Sequence, residues 1–223
     1  MEDFELCNVD PEDVNDLLLK VESSFGVKFV NNELLHIDNF GEFCTLVTNK
    51  IQLKNVDNCT SQQAFYKLRK AIAKTLQLDS DSIFVNSLLI NIFPRKDRRL
   101  AIRDLEVSLG FKLKILKAPN WLTLSLGLLL LVFVILLFFY WKIAIVGIVL
   151  SLTSLKIVSY FGKEFIVDNV GQLAKKISRE DYVHSRSDAE TFNKNEVEVI
   201  LREWFVEEFA LDESKFNSES KFI

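Results

Sequence analysis

The longest apolar stretch of the chain lies between residues 118 and 161. Residues 118–141 carry no charge, and residues 121–141 (WLTLSLGLLLLVFVILLFFYW) are apolar on every face of a helix. Lys142 follows, and residues 143–161 are mainly apolar again, with Lys156 as their only charge. About 20 such residues cross the hydrocarbon core of a bilayer, whereas one helix over 121–161 would be roughly 60 Å long, about twice the core thickness. The pattern therefore predicts a transmembrane helical hairpin at 118–162 that turns near residues 140–142.

Aromatic and basic side chains mark the ends of the two apolar segments. Trp121 lies at the start of the first segment, and Tyr140 and Trp141 lie at its end. Trp and Tyr are enriched at membrane–water interfaces, and a lysine near a helix end can extend its ammonium group to the headgroups. We expect Trp121, Tyr140, Trp141 and Lys156 to be interfacial anchors. A re-entrant hairpin and a hairpin buried in a soluble bundle are alternatives that this pattern leaves open.

The positive charges next to the apolar segments predict their orientation. Residues 94–117 contain eight Lys and Arg, residues 162–179 contain four, and the predicted turn contains only Lys142. Membrane proteins concentrate Lys and Arg on the cytoplasmic side. Both flanks and both termini are therefore expected in the cytosol, with two passes through the membrane, for which a bacterial inner membrane is expected. The following bases are predicted to contact the membrane surface: Arg95, Lys96, Arg98, Arg99, Lys112, Lys114, Lys117 and Lys163.

The basic flanks have two possible partners. On anionic headgroups each Lys or Arg contributes on the order of 1 kcal/mol, which makes a phospholipid membrane the expected partner. Nucleic acid is the alternative, but no groove-reading motif or aromatic platform accompanies the bases. We therefore expect a membrane and no nucleic acid.

Short amphipathic helices account for the rest of the chain. Asp10 and Pro11 are typical of a helix start, and Gly26 is typical of a helix end. One apolar face is predicted from Val14, Leu17, Leu18, Val21 and Phe25. No strand pattern persists. The predicted fold class is all-α, with short-helix bundles plus the hairpin. Further helices are predicted at about residues 39–51, 60–76, 97–109, 169–177 and 195–209, with a polar linker at 180–192.

The order of these helices resembles an acyl carrier protein. DPEDVNDLLLKVESSFGVKF (10–29) resembles that family's second helix, and NNELLHIDNFGEFCTLVTNKI (31–51) resembles its third and fourth helices. NEVEVILREWFVEEFALDESKFNSESKFI (195–223) resembles the first helix and the loop after it. The chain stops about where the second helix would begin, so each end supplies what the other lacks. The helix around Trp204 is therefore expected to pack against Leu17 and Leu18.

The middle of the chain resembles the same family a second time. SQQAFYKLRKAIAKTLQLDSDSIFVNSLL (61–89) resembles a first helix and loop, FPRKDRRLAIRDLEVSLGFKL (93–113) a second helix, and FIVDNVGQLAKKI (165–177) a fourth. The hairpin takes the place of the third. This resemblance implies the following divisions: carrier-like second to fourth helices at 1–56, first and second helices at 57–117, the hairpin at 118–162, a fourth helix at 163–179, and a linker with the completing helix at 180–223.

The serine that carries phosphopantetheine in acyl carrier proteins has no counterpart in register. Pro11 stands there in the first module and Arg95 in the second. Asp81-Ser82-Ile83 is similar to the motif but falls in the loop after the first helix. The resemblance therefore implies a degenerate carrier-like surface on which other proteins dock.

The sequence offers little for catalysis. Cys7, Cys44 and Cys59 are odd in number and far apart, which predicts neither a disulfide framework nor a metal site. The acidic start of the chain predicts no secretory signal. A phosphate loop and a nucleophile elbow are also missing from the sequence. No enzyme activity, cofactor or catalytic residue is expected.

These features favour a membrane-anchored, non-catalytic interaction protein with degenerate carrier-like modules and a protein partner at the cytosolic face. Two alternatives remain open. The first is a functional acyl carrier of lipid or polyketide synthesis, modified at Ser82 or another serine. The second is a membrane regulator or immunity-type protein that binds one protein target.

Overall fold

The computed structural model describes residues 5–6, 10–30 and 33–222, and these residues are mainly helical, in agreement with the predicted all-α class. The helices of the described residues are α1 (Pro11–Phe25), α2 (Phe40–Lys50), α3 (Thr60–Leu76), α4 (Leu89–Ile92), α5 (Arg98–Leu109), α6 (Asn120–Leu136), α7 (Trp141–Tyr160), α8 (Val170–Glu180), α9 (Tyr182–Ser185) and α10 (Lys194–Glu208). Two 3₁₀ turns lie at Glu33–His36 and Ser80–Ser82. The strands have two residues each and are β1 (Glu5–Leu6), β2 (Lys54–Asn55), β3 (Leu116–Lys117), β4 (Glu164–Phe165), β5 (Thr191–Phe192) and β6 (Lys221–Phe222).

Helix α1 begins and ends where its sequence predicts. The Asp10 carboxylate accepts the backbone N–H of Glu12 at 2.9 Å, and Pro11 occupies the first turn, where its missing N–H costs nothing. Gly26 ends the helix with φ of 65°, a left-handed conformation that glycine adopts without strain.

The first compact unit comprises residues Met1–Lys70 and Leu173–Ile223. Its core contains residues of α1, α2 and α10, and Leu17 and Trp204 belong to the same buried cluster, with Leu18 packed against it. The rings of Phe25 and Trp204 lie 5.7 Å apart. The predicted packing of the N-terminal helices on the C-terminal helix is therefore confirmed.

Residues 180–192 do not form the polar linker that their composition predicts. Tyr182, Ser185 and Arg186 are buried, and β5 pairs in parallel with β2. The Arg186 guanidinium donates to the hydroxyls of Thr60, Tyr182 and Thr191. Because these partners satisfy the buried donors, a polar segment can lie inside the fold.

The second compact unit comprises residues Ala71–Gln172 and contains the apolar hairpin. Its remaining part has a small core of buried side chains from α4, α5 and the segment before the hairpin: Leu89, Phe93, Ile102, Leu105, Leu113 and Ile115. The boundary between the two units falls within α3 and α8.

The chain contains two repeats of similar local structure, and each repeat is made of two separate segments. The split repeat consists of residues 194–222 followed by residues 10–50, and the interrupted repeat consists of residues 61–117 followed by residues 164–180. Their last helices, α2 and α8, have the same capping box. The Asn39 amide oxygen accepts the Glu42 N–H at 2.9 Å, and that of Asn169 accepts the Gln172 N–H at 2.8 Å.

The loop after the first helix is also the same in both repeats. Ala210 and Gln77 occupy equivalent positions, and both have left-handed backbones, with φ of 49° and 55°. The Ser220 hydroxyl accepts the Asn217 N–H at 3.0 Å, as the Ser87 hydroxyl accepts the Phe84 N–H at 2.9 Å. The loops then pair with the last helices in the same way: Gly41 N–H to Ser218 O and Gly171 N–H to Val85 O are both 2.8 Å.

The second helices, α1 and α5, end alike. Glu22 accepts the Phe29 N–H at 2.7 Å and pairs with Lys28, and Glu106 accepts the Leu113 N–H at 2.9 Å and pairs with Lys112. After this point the split repeat has the 3₁₀ turn Glu33–His36, whereas the interrupted repeat has the hairpin.

Candidate membrane interface

The two helices of the hairpin pack on each other and leave most of their apolar surface exposed. Every residue of α6 and α7 is described, and only Ala144, Gly147 and Ser151 on α7 are buried. The Phe133 ring of α6 lies against Gly147, where a Cβ atom would be 2.3 Å from it. The Ser151 hydroxyl donates to the Gly147 carbonyl at 2.8 Å, so this polar group is satisfied within the helix.

Only one of the two helices is long and apolar enough by itself to cross a membrane. This helix is α7, with 20 residues, whereas α6 is apolar but has 17. The chain reverses over residues 137–140, slightly before the predicted turn. The expected pair of membrane-spanning helices is thus seen as one helix of sufficient length and one shorter partner.

Strands β3 and β4 bring the two ends of the hairpin together. They are antiparallel, and Lys117 lies opposite Glu164. Gly162 approaches the Lys117 backbone so closely that a Cβ atom would lie 2.3 Å from the carbonyl carbon. The hairpin therefore leaves the rest of the unit and returns to it at adjacent points.

Arg98 has to be removed from the predicted set of membrane-contacting bases, because it is buried. Its guanidinium donates to the carbonyl oxygens of Phe93, at 2.9 Å, and Lys163, and it lies 4.5 Å from the centre of the Phe165 ring. Burial lowers the pKa of this guanidinium, while Glu164 acts in the opposite direction. The Arg98 side chain therefore connects α5 with Phe93 and with residues 163–165, which follow the hairpin.

Arg95 and Arg99 lie close to the same base. The Arg99 guanidinium is 5.0 Å from the Tyr160 ring centre and 4.9 Å from that of Phe161, which are cation–π distances. Arg95 forms an exposed ion pair with Glu164 at 2.8 Å.

The remaining predicted bases, apart from the half-buried Lys163, are exposed. Lys112 pairs with Glu106 at 3.0 Å, Lys163 donates to the Lys96 carbonyl at 3.3 Å, and Lys114 has a left-handed backbone. Lys96 and Lys117 complete this set. These side chains surround the hairpin base with positive charge on the chain segments before and after it.

The predicted interfacial anchors are exposed at the ends of the two helices. Trp121, Tyr140 and Trp141 are 71%, 64% and 60% exposed, and Lys156 is exposed one turn before the end of α7. Tyr160, 72% exposed, marks that end. Aromatic residues thus stand at both ends of the hairpin, as the interfacial belt requires.

The positions that would carry phosphopantetheine in an acyl carrier protein have no feature that favours attachment. Ser82 is exposed in a 3₁₀ turn, and its hydroxyl donates to the Asp79 carbonyl at 2.6 Å. Pro11 and Arg95 provide no hydroxyl. Over the residues that the structure describes, no three His, Cys, Asp or Glu side chains come together as metal ligands would.

The sequence does not predict a buried polar network that lies in the first unit. Glu196 accepts from the Thr60 N–H at 2.9 Å and lies 3.9 Å from Arg186, and burial raises the pKa of Tyr182. A cavity of about 350 Å³ adjoins Thr60 and Glu196. All donors of Arg186 described above are directed at protein oxygens, so the network has a structural role. The sequence pattern that could indicate this network is the four-residue spacing of Tyr182 and Arg186, which places them one helical turn apart.

Comparison with protein-family models, curated proteins and solved structures gives no match for this chain. The resemblance to acyl carrier proteins therefore stays a prediction.

Proposed function

We propose that this chain is a membrane-anchored, non-catalytic interaction protein, whose two-pass hairpin holds helical modules at the cytosolic face of a membrane. The observation that carries the proposal is the exposed apolar surface of α6 and α7. Phe138 and Phe139 at the tip are 87% and 75% exposed. A continuous apolar surface of this kind is unfavourable in water and marks a membrane or protein contact.

The position of the hairpin ends supports two passes. The 20 residues of α7 rise about 30 Å, close to the thickness of the hydrocarbon core. Since Lys117 and Glu164 are paired, α6 starts where α7 ends. If α7 crosses the membrane, α6, which packs antiparallel along it, crosses the membrane as well. The apolar residues 137–139 add length to the 17 residues of α6.

The distribution of charge supports the orientation and the presence of a protein partner. The unit at residues 71–172 has twelve bases and seven acids, a net charge of +5. The remaining residues have fifteen bases and twenty-four acids, a net charge of −9. A positive unit is attracted to anionic headgroups, whereas the negative one suits a basic protein surface.

Labelling of single cysteines tests the topology. Cys7, Cys44 and Cys59 are first replaced. Cys44 is replaced by Ala, because the equivalent position in α8 is Ala174. Cysteines are then placed at Lys114, Phe139 or Ser187, and a membrane-impermeant maleimide is added to right-side-out and inside-out vesicles of bacterial inner membrane. We expect labelling of position 139 only in right-side-out vesicles and of 114 and 187 only in inside-out vesicles. Labelling of all three from one side would indicate a re-entrant hairpin, and release by alkaline carbonate would exclude an integral protein.

Mass spectrometry separates an interaction module from a functional carrier. The chain is coexpressed with a phosphopantetheinyl transferase, and Ser82→Ala serves as the control. We expect no adduct on either protein. A stoichiometric adduct on the unmodified chain that the Ser82→Ala variant lacks would favour carrier function instead.

A further inference from the structure

The outer face of α5 combines apolar and basic side chains, with one exposed acid, Asp104, beside them. Leu100 and Val107 are 53% and 77% exposed, and they lie two helical turns apart on one side of the helix. Arg103 is exposed on the same side, and Arg99 is half-buried at its edge. Leu105 and Leu109 point into the core from the opposite side. We refer to Arg99, Leu100, Arg103 and Val107 as the docking face.

The split repeat provides an internal control for this composition. Its helix α1 has Asn15, Asp16 and Ser23 at the places of Arg99, Leu100 and Val107, and these side chains are exposed as well. Leu19, at the place of Arg103, is the exposed apolar residue of that face. The two helices end in the same hydrogen bonds and so occupy equivalent places in their repeats. Since α1 has polar residues at these two positions, the fold of the repeat does not require large apolar residues at 100 and 107. Their presence indicates a partner that only the interrupted repeat contacts.

The docking face continues into the base of the hairpin. Arg99, its first residue, lies over Tyr160 and Phe161 at the end of α7. The side chains of Arg95 and Lys96 are exposed immediately before α5. An amphipathic helix with bases beside its apolar residues has the composition that binds in the interface of an anionic bilayer.

We infer that α5 lies on the membrane, with Leu100 and Val107 inserted at the boundary of headgroups and acyl chains and with Arg99 and Arg103 at the phosphates. The ligand is therefore an anionic phospholipid surface. This inference rests on the proposed function, because the hairpin brings the helix to the bilayer. It adds a second contact, which fixes the orientation of the unit on the membrane surface.

Fluorescence quenching in the full-length protein tests the contact. Single cysteines at Leu100 or Val107, and matched cysteines at Asp16 or Ser23 in the split repeat, are labelled with an environment-sensitive dye in the background without native cysteines. The proteins are reconstituted in vesicles of phosphatidylcholine and phosphatidylglycerol. Brominated lipid should quench the labels at 100 and 107 several-fold more than those at 16 and 23, and aqueous iodide should show the reverse order. Equal iodide quenching at all four positions would overturn the inference.

A label within the hairpin, at Leu128, separates the two levels of the proposal. Lipid quenching at 128 without quenching at 100 and 107 leaves the anchor intact and rejects the docking face. Absence of quenching at 128 rejects the membrane anchor, and the docking face with it. The variant Leu100→Asp/Val107→Ser copies the residues of α1, so it is expected to fold. In that variant, lipid quenching of a dye at Asp104 should fall to the level seen at its counterpart Lys20, and unchanged quenching would also reject the docking face.

Discussion

The ring of Phe133 occupies the space that a side chain on Gly147 would need, because a Cβ atom there would be 2.3 Å from the ring. Replacement of Gly147 by Leu should therefore separate α6 from α7 and lower stability by about 1–3 kcal/mol, the usual cost of overpacking. The measurement is thermal unfolding in detergent micelles. Gly127→Leu is the control, since a Cβ atom at 127 would have no atom within 4 Å apart from its own turn of helix, and both variants gain the same helix propensity. Equal melting temperatures for the two variants would show that this contact does not hold the hairpin.

Arg98 should be needed for folding, in contrast to the other bases near the hairpin. Arg98→Met leaves the carbonyl oxygens of Phe93 and Lys163 without their donor, and each unsatisfied buried group costs about 1–3 kcal/mol. Arg103→Met, on the exposed side of the same helix, should change stability by less than about 0.5 kcal/mol. Urea unfolding in micelles of a neutral detergent, where Arg103 meets no phosphate, is followed by circular dichroism and measures both. Equal effects would mean that the buried guanidinium contributes nothing specific.

Phe205 should be one of the most sensitive positions of the first unit. Its ring lies between 5.1 and 5.8 Å from the rings of Phe40, Phe43 and Phe216. Phe205→Ala should cost about 3–5 kcal/mol, as large-to-small substitutions of buried aromatic residues do. Val199, 55% exposed on the same helix, is the control, and Val199→Ala should be nearly neutral. Limited proteolysis of residues 11–50 should show faster cleavage in the Phe205 variant alone. Unchanged resistance would contradict the closure of this unit by its C-terminal helix.

The cysteines at 44 and 59 should differ sharply in reactivity. Cys44 is buried on α2, and burial together with Glu198 raises the pKa of its thiol to about 12. Since the thiolate is the reactive form, Cys44 should resist maleimide at pH 8 in the folded protein. Cys59 is exposed and should react, and both should react in denaturant. Mass spectrometry of a Cys7→Ser variant measures this, because Cys7 lies outside the described residues. Similar rates for the two thiols would place Cys44 at the surface.

The first unit should lose stability in acid through Glu22. The Phe29 N–H and the Lys28 ammonium lower the pKa of this carboxyl from its ordinary value of 4.5. A lowered pKa in the folded state means that the stabilisation is complete above the unfolded value and is lost as the pH falls through the folded one. Stability should thus decline below about pH 4.5 and do so less steeply in Glu22→Gln. Glu12→Gln, which removes a charge from the same helix without touching the Phe29 bond, is the control.

The sequence predicts those features that depend on neighbouring residues. The limits of α1 follow from Asp10, Pro11 and Gly26, and the hairpin follows from the absence of charge over residues 118–141. The interfacial side chains of Tyr140 and Trp141 predict a turn near these residues. The backbone reverses a few residues earlier, where no glycine or proline marks the position.

The features that escaped prediction depend on distant residues. Arg98 reaches the carbonyl of Lys163, 65 residues away, and Arg186 reaches the hydroxyl of Thr60, 126 residues away. In the sequence both arginines read as surface charges, because local patterns contain no information on such partners. The sequence does not predict the docking face for a related reason, since Leu100 and Val107 differ from the polar residues at the equivalent positions of α1 only once the two helices are superimposed as repeats.

Closure of the first unit by α10 has a consequence for the order of events during synthesis. Helices α1 and α2 leave the ribosome first, but Trp204 and Phe205, which complete their core, follow the hairpin. At about 5–20 residues per second, this delay is on the order of ten seconds or more. The N-terminal segment therefore has to remain soluble and unaggregated, with its apolar face uncovered, until α10 has been synthesised.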